Sequence, residues 1–482
     1  MWNILITAVN PTTALTLILC CIIMYLLFKR ISYCLPPGPT GWPVFGYTAC
    51  LGPDAFRQIQ HLNETYGDIV SFHVMGKTIV ILNSYDVIHE AATVNRSKIG
   101  RYSMVVNDLL AENSGISNYD TPRATETRRA FVRHINDFLK PYDCEDGKFH
   151  IGLPKSVINP EIDALINEIS IKEGKPVDVL QLMRRTIWRI VWQFLFGKKS
   201  QLTDEQVDNI LEDIASNNLE NQLFQTRQLL PWFFVEIFRR IPFARHLFKV
   251  EHILKRHKAV RREIDSNTGE LSNTNSLFGL LTNDAKLNLT KSEISRLSYE
   301  LMAAGTDTTS LTLTWACDYL SRAPPQDPFN LSPDVIDMVH RWASVVPLAL
   351  PHLVHESFEI NGYCIPKSSI LIYNLYAVHN TQLRRLTNKE TKPKDTKQSD
   401  TPIPFSLGAR ACPGFRLANT LIEKVLTAIN QEFIIQHFVQ PPIETTNPKD
   451  QESLSPFGLT RVPYKSLYLF FTRTNGPRRT SN

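Results

Sequence analysis

Pro404-Phe-Ser-Leu-Gly-Ala-Arg-Ala-Cys-Pro-Gly414 is the stretch on which the reading of this chain turns. Its one cysteine, Cys412, is flanked by Gly408, Arg410 and Gly414. It stands just before a helical pattern in which Ala418, Leu421, Ile422, Val425, Leu426 and Ile429 mark one face. Pro413 suits the first turn of that helix, where its missing donor costs nothing. Glycine lets backbone approach a flat cofactor closely, and amide donors at a helix start stabilise a thiolate. An isolated cysteine in a glycine loop is by default a buried structural residue, so the assignment needs support from elsewhere in the chain.

A long helix supplies that support. Thr290-Lys-Ser-Glu293 has the form of a capping box, and a helical pattern continues through Leu297, Leu301, Met302, Leu311, Leu313, Trp315, Ala316 and Leu320 until Pro324-Pro325. At about thirty residues it is longer than helices of globular domains usually are. In its middle, Ala304-Gly-Thr-Asp-Thr-Thr309 gathers poor helix formers whose hydroxyls bond backward to carbonyls. The cluster predicts a local kink with room beside it for a small ligand or water.

The N-terminus is a different material. Residues from Thr13 to Phe28 are almost continuously apolar and stop at Lys29-Arg30, and residues 8–28 are long enough to span a bilayer. The charges follow the apolar run, which predicts a retained signal anchor with residue 29 onward in the cytosol. Sequons at Asn63, Asn95, Asn288 and Asn330 would then go unused. Leu35-Pro-Pro-Gly-Pro-Thr-Gly-Trp-Pro43 forbids helix and central strand, and reads as a stiff spacer.

Composition sets wide limits. The 482 residues are 43% hydrophobic, enough for a large core. A net charge of +5 from 52 basic and 47 acidic side chains is too balanced for a nucleic-acid binder. The 8 cysteines form no CxxC pair, zinc-type spacing or dense disulfide framework. Beyond residue 54 the chain reads as one mostly helical unit. Strands are predicted at Ile69 to Val74, Thr78 to Leu82, Phe358 to Ile360 and Ser369 to Asn374. Asn388 to Thr401, rich in Lys, Thr and Asp, reads as a solvated loop.

Phe405, Gly408, Arg410, Cys412 and Gly414 match every fixed position of Phe-x-x-Gly-x-Arg-x-Cys-x-Gly, the haem signature of the cytochromes P450. The 304–309 segment fits that family's oxygen-activation motif throughout. With its anchor and proline hinge, the chain resembles a microsomal, membrane-anchored eukaryotic P450. The resemblance implies a mainly α fold with a smaller β part behind an N-terminal transmembrane helix. Residues 1–30 would form the anchor, 31–53 the hinge and 54–482 the haem domain.

It also implies haem b (iron protoporphyrin IX) with Cys412 as its axial thiolate, which favours O–O cleavage. Thr308 would hold oxygen and water while Asp307 helps relay protons. Arg128, His352 and Arg410 would contact the propionates, Arg410 by a charge-assisted bond. Ala124 stands where the family expects a Trp, one helical turn from Arg128. The Glu-x-x-Arg motif is also altered. Its arginine aligns with Arg341, but Met338 replaces the glutamate and Asp395 the later partner arginine. Either Asp395, or Asp337 at i−4, is expected to pair with Arg341. Two segments are short: 21 positions separate Leu320 from Arg341, and 9 separate Asp395 from Pro404.

The activity implied is a monooxygenase that inserts one atom of O2 into an apolar substrate, with NADPH-derived electrons. No Gly-x-Gly-x-x-Gly fingerprint occurs, so electrons must come from a partner: NADPH-cytochrome P450 reductase, with cytochrome b5 as a second donor. Arg128, Arg129, Arg133, Lys140 and Arg416 would offer that partner a basic face. Phe224 to Phe248, with aromatics next to Arg239-Arg240, would touch the membrane. The implied location is the endoplasmic reticulum membrane, single-pass, with a cytosolic catalytic domain. Two alternatives stay open: a haem-binding homologue without turnover, and an isomerase or dehydratase acting on a peroxide, which intact Asp307 and Thr308 disfavour. The pocket segments, Arg101 to Ile116, Leu219 to Leu229 and Val346 to Leu353, carry no code that separates a sterol, a fatty acid and a xenobiotic.

Overall fold

The computed structural model describes residues 34–42, 45–51, 55–104, 109, 115–117, 119–139, 141–143, 149–151, 155–220, 229, 233–247, 250–268, 276–322, 333–388, 401–437, 460–462 and 467–474, with positions 12, 15, 16 and 20. Most of the expected anchor, Lys140, Asp395 and the stretch 224–232 apart from Leu229 lie outside the described residues. Among the described residues no helix is long and apolar enough to cross a membrane.

In chain order the helices are α1 (Ala55–Tyr66), α2 (Tyr85–Thr93), α3 (Pro122–Phe138), α4 (Lys155–Ile171), α5 (Val179–Phe196), α6 (Asp204–Glu220) and α7 (Phe233–Arg240). There follow α8 (Pro242–Leu247), α9 (Val250–Thr268), α10 (Leu277–Thr282), α11 (Lys291–Arg322), α12 (Pro333–Ala343), α13 (Leu375–Asn388) and α14 (Phe415–Glu432). The strands are β1 (Ile69–Val74), β2 (Lys77–Leu82), β3 (Ile99–Arg101), β4 (Pro141–Asp143), β5 (Phe149–Ile151) and β6 (Val177–Asp178). Then come β7 (His352–Val354), β8 (Phe358–Ile360), β9 (Tyr363–Ile365), β10 (Ile370–Tyr373), β11 (Phe433–His437) and β12 (Tyr468–Arg473). The architecture is mainly helical with small sheets. The largest sheet has five strands in the order β1-β2-β10-β7-β3, and a second runs β11-β12-β6.

The long helix forms as its sequence predicts. Glu293 accepts the Thr290 amide at 2.8 Å while Thr290 accepts the Glu293 amide at 3.3 Å, the two halves of a capping box. No interruption appears at 304–309; every residue from Lys291 to Arg322 is helical. Room beside the helix comes instead from small residues: a Cβ at Gly305 would lie 3.5 Å from Val191 of α5. From Ser298 to Asp318 every position except Ala304 is buried or only partly exposed, so α11 runs through the core rather than over it. Along its neighbour α5, Trp188, Trp192 and Phe196 form a chain of tilted ring contacts that ends in Phe196 stacking on Phe278 of α10.

Where the link between α11 and α12 is short, Asp318 ties the surrounding pieces together. Its buried carboxylate accepts from Trp342 Nε1 at 3.1 Å, Arg322 Nε at 3.0 Å and His437 Nε2 at 2.9 Å. One residue thus joins the ends of α11, α12 and β11, and these donors hold its carboxyl below the usual range against burial.

The proline-rich segment is not a free spacer. Leu35 and Pro36 are buried, the Ser71 amide donates to Pro37 O at 2.8 Å, and the Tyr47 amide donates to His73 O at 2.7 Å. Proline carbonyls still accept although proline nitrogens cannot donate, so the segment can lie along β1 as an added edge.

Candidate active site

A cavity of about 270 Å³ lies between α3, α5, α11 and the loop that enters α14. Cys412, Phe405, Gly414, Arg128, Arg410 and Thr308 all line it. The sulfur of Cys412 opens to this cavity although its surroundings are deeply buried. Burial pushes the thiol up, and the Gly414 amide, Arg128 and Arg101 oppose that shift. The loop closes on itself through the Cys412 amide, which donates to Phe405 O at 2.8 Å. Helix α14 begins at Phe415 with Gly414 as its N-cap, so Pro413 lies before the helix rather than in its first turn.

Gly408 sets the path of this loop. Its φ is +74°, and a Cβ there would sit 2.1 Å from the carbonyl oxygen of Ala92 in α2. The left-handed conformation alone costs an alanine about 1–2 kcal/mol, and the contact adds to it. Gly408→Ala is therefore expected to lower the haem bound per polypeptide several-fold, read as pyridine haemochrome against protein concentration. Full occupancy would show that α2 can retreat.

Three guanidinium groups converge at the cavity. Arg128 donates to Ala411 O, Arg410 is ion-paired with Asp120, and Arg101 donates to Arg410 O at 2.9 Å and to Leu350 O at 3.2 Å. Arg101, which the sequence marked only as the start of a pocket segment, is a central member. It stands directly opposite His352 in the β3–β7 register, and its Nη1 lies 3.2 Å from His352 Nε2. Burial first, then Arg128 and Arg410, push its pKa down to about 9. His352 itself does not line the cavity; it stacks on Tyr373 and accepts from Arg101, with burial and that cation holding it well below its usual range. The longer arginine occupies the place where His352 was expected to reach. Ala124 is buried against Tyr119.

These residues fit a haem. Among the described residues Asp120, paired with Arg410, is the one carboxylate in an ion pair with any of the three arginines, which leaves an excess of positive charge suited to two propionates. Arg101 Nε and His352 Nδ1 are buried with no hydrogen-bond partner among the described residues. Among the described residues no group of three His, Cys, Asp or Glu could hold a metal ion.

On α11, Thr308 faces the cavity and donates to Ala304 O at 2.7 Å. Asp307 does not. It is buried on the other side of the helix, where Arg184 Nη2 donates to it at 3.0 Å and Thr460 Oγ1 at 3.3 Å. Successive helical residues point about 100° apart, and Asp307 falls outside the stripe formed by Leu301, Ala304, Gly305, Thr308, Thr309 and Thr312 that lines the cavity. Two turns earlier, Glu300 accepts the amides of Ile116 at 3.1 Å and Ser117 at 2.8 Å, fastening that turn over the cavity edge.

The altered Glu-x-x-Arg network takes a form the sequence did not reveal. Arg341 is buried, and its Nε donates to Gln382 at 3.3 Å; no ion pair joins it to Asp337 among the described residues, and Asp395 lies outside them. Gln382 in turn donates to Thr401 O at 3.3 Å. One helical turn before it, His379 accepts the Ile403 amide at 3.0 Å and meets Ser344 Oγ at 2.8 Å. Two residues on one face of α13 thus hold the end of α12 on one side and the irregular segment leading to Pro404 on the other. The i, i+3 spacing of His379 and Gln382 was visible, but not what they face.

Burial holds His379 down to about 3 from 6.5. The unfolded chain therefore takes up this proton first; stability present above about 6.5 is lost as pH falls toward 3. His257, also about 3, acts in the same sense. Thermal unfolding midpoints should fall with pH in this window, less steeply in His379→Gln. An unchanged slope in that variant would remove His379 from the account.

Of the basic residues proposed to meet a redox partner, Arg128 is buried in the site and Arg133 is paired with Asp284. Arg129 and Arg416 are exposed, Arg416 lying over the Phe415 ring at 5.7 Å.

Comparison with known proteins agrees with this geometry. The chain is similar to cytochrome P450 2F5 of Gorilla gorilla gorilla, 25% identical over 84% of this chain and 89% of that protein. It is 24% identical to cytochrome P450 2C5 of Oryctolagus cuniculus, over 90% of this chain and 94% of that one. Cytochrome P450 2U1 of Rattus norvegicus is also 24% identical, over 89% of each. The family model "Cytochrome P450" matches residues 36–325 and 333–468, omitting only the short link before α12 within that span. With a family match over most of its length, and the signature cysteine set in a cation-rimmed cavity beside the threonine of α11, the chain belongs to the cytochrome P450 family.

Proposed function

We propose that the chain is a haem-thiolate monooxygenase that inserts one atom of O2 into an apolar organic substrate, with electrons from an NADPH-dependent reductase. The observation that carries this reading is the shared cavity of Cys412 and Thr308. Haem supplies the oxidising chemistry when bound, activating O2 at an iron held by the Cys412 thiolate. Arg101, Arg128 and Arg410 would hold its propionates, with His352 orienting Arg101. Thr308, whose proton is committed to Ala304 O, offers its lone pairs to a water in the cavity. Asp307 must leave Arg184 to move a proton there, so the resting pair keeps its charge away from the substrate. Leu301, Val346 and Leu417 give the cavity apolar walls that exclude water and favour an apolar substrate.

Exposed Trp42 and Phe45 beside β1, and exposed Ile241, Phe243 and Leu247 around α8, support contact with a membrane. Met75 packs under α7 and α9 while its amide donates to Phe45 O at 3.0 Å, placing both groups at one end. An endoplasmic reticulum anchor and a reductase docking near Arg129 and Arg416 complete the reading.

The test is the reduced carbon monoxide spectrum of the full chain, followed by NADPH-dependent oxygen consumption with reductase. A Soret band characteristic of thiolate ligation together with consumption supports the proposal. The band without consumption favours a haem-binding homologue without turnover, the reading that loss of the glutamate at Met338 supports.

A further inference from the structure

Cys364 is the middle residue of β9, opposite Glu359 of β8. Its amide faces outward from the hairpin and donates to Cys34 O at 3.0 Å. Cys34 is a turn residue with φ +45°, and the hydrogen bond brings its backbone directly against that of Cys364, at a separation close to the roughly 4.8 Å of hydrogen-bonded neighbouring chains. A disulfide needs Cα atoms separated by roughly 4.4–6.8 Å. The two thiols are free, Cys34 exposed and Cys364 half-buried. We propose that Cys34 and Cys364 form an oxidation site, a reversible disulfide that locks the start of the docked proline segment to β9.

Other observations agree. Burial pushes the Cys364 thiol up, and the next contribution comes from Cys34, so the sulfurs lie within electrostatic reach of each other. Cys50 and Cys317 are buried, with thiols pushed up to about 12, and are inert by comparison. From Leu35 onward the segment is held along β1 through Pro37 and Tyr47. The β8–β9 hairpin is a separate two-stranded unit. A bond at Cys34 would join the two covalently, just where the chain leaves for its expected anchor, and would fix the direction in which the domain hangs from it. In a reducing cytosol the pair stays as thiols, so the bond would report oxidation rather than serve as a permanent brace.

The step balances with a hydroperoxide as oxidant. Cys34, the exposed thiol, is oxidised to a sulfenic acid while the hydroperoxide is reduced to an alcohol, or to water when the oxidant is hydrogen peroxide. Cys364 sulfur then attacks Cys34 sulfur; the S–S bond forms, the S–O bond breaks, and water leaves with the thiol proton.

The experiment treats full-length, haem-loaded protein in membranes with hydrogen peroxide, alkylates free thiols and maps peptides without reduction. The expected product is an intramolecular Cys34–Cys364 peptide pair, two hydrogens lighter than its separate halves and released by dithiothreitol. Cys34→Ser and Cys364→Ser should each abolish it, and the carbon monoxide spectrum should not change. Because Cys34 is exposed and Cys364 half-buried, serine at either position is compatible with folding. Diamide serves as a second oxidant. Failure to form the pair with both reagents, separate adducts on the two cysteines, or a bond only between two chains overturns the proposal.

Discussion

Cys412→Ser is expected to abolish the thiolate-type Soret band of the reduced carbon monoxide complex completely, together with NADPH-dependent oxygen consumption. The sulfur is the one thiol in the cavity, and Phe405, Gly408 and Gly414 shape the loop that presents it. In the polypeptide alone, burial outweighs the Gly414 amide, Arg128 and Arg101 and pushes that thiol up. In the proposed site an iron would share the charge of the thiolate, and a serine hydroxyl, far less acidic, could not provide the same bond. Cys317→Ala is the matched control. It removes a buried thiol on the far part of α11 and should leave the band in place. A band retained by Cys412→Ser would overturn the ligand assignment.

Arg184→Met should cost about 3–5 kcal/mol of stability, because it removes the guanidinium that donates to the buried Asp307 carboxylate at 3.0 Å. Arg184 and Asp307 side chains are 15% and 4% exposed, so little water can replace the lost partner. Thr460 can donate one hydrogen bond at 3.3 Å but no charge. Asp307→Asn should cost less, since the amide keeps an acceptor and the freed arginine lies nearer solvent. Combining Arg184→Met with Asp307→Leu should recover most of the loss, the usual behaviour when both members of a buried pair become apolar. Thermal midpoints of the haem-loaded variants give the measurement. A loss below about 1 kcal/mol for Arg184→Met would mean that the pair behaves as a surface contact. On the proposed proton-relay role of Asp307, weakening the pair with Arg184→Lys should alter turnover while leaving the carbon monoxide spectrum intact.

Position 338 shows how a lost motif residue is replaced. A methionine cannot accept strongly from Arg341; its sulfur lies 3.9 Å from Nη1. Gln382 supplies the oxygen instead, from a different helix, and passes the connection on to Thr401 O. His379 does the same between Ser344 and Ile403. Gln382→Leu therefore removes a link between α12 and the cysteine loop that alignment to the family motif would never nominate.

What the sequence by itself determined is local or motif-bound. The capping box at Thr290 and Glu293, the long α11, the strands β1, β2, β8 and β10, and the glycines around Cys412 follow from periods, caps and backbone constraints written within a few residues. The tertiary structure alone decided which polar side chain meets which. Arg101 stands beside His352 at a sequence distance of 251, and Arg184 holds Asp307 at a distance of 123. The proline segment reads as a spacer from its composition, yet it docks because β1 offers the Ser71 amide to Pro37 O. Helical and strand periods fix which face of an element is apolar. The partner of a long buried cation is fixed only when distant elements pack and every other route to solvent has closed.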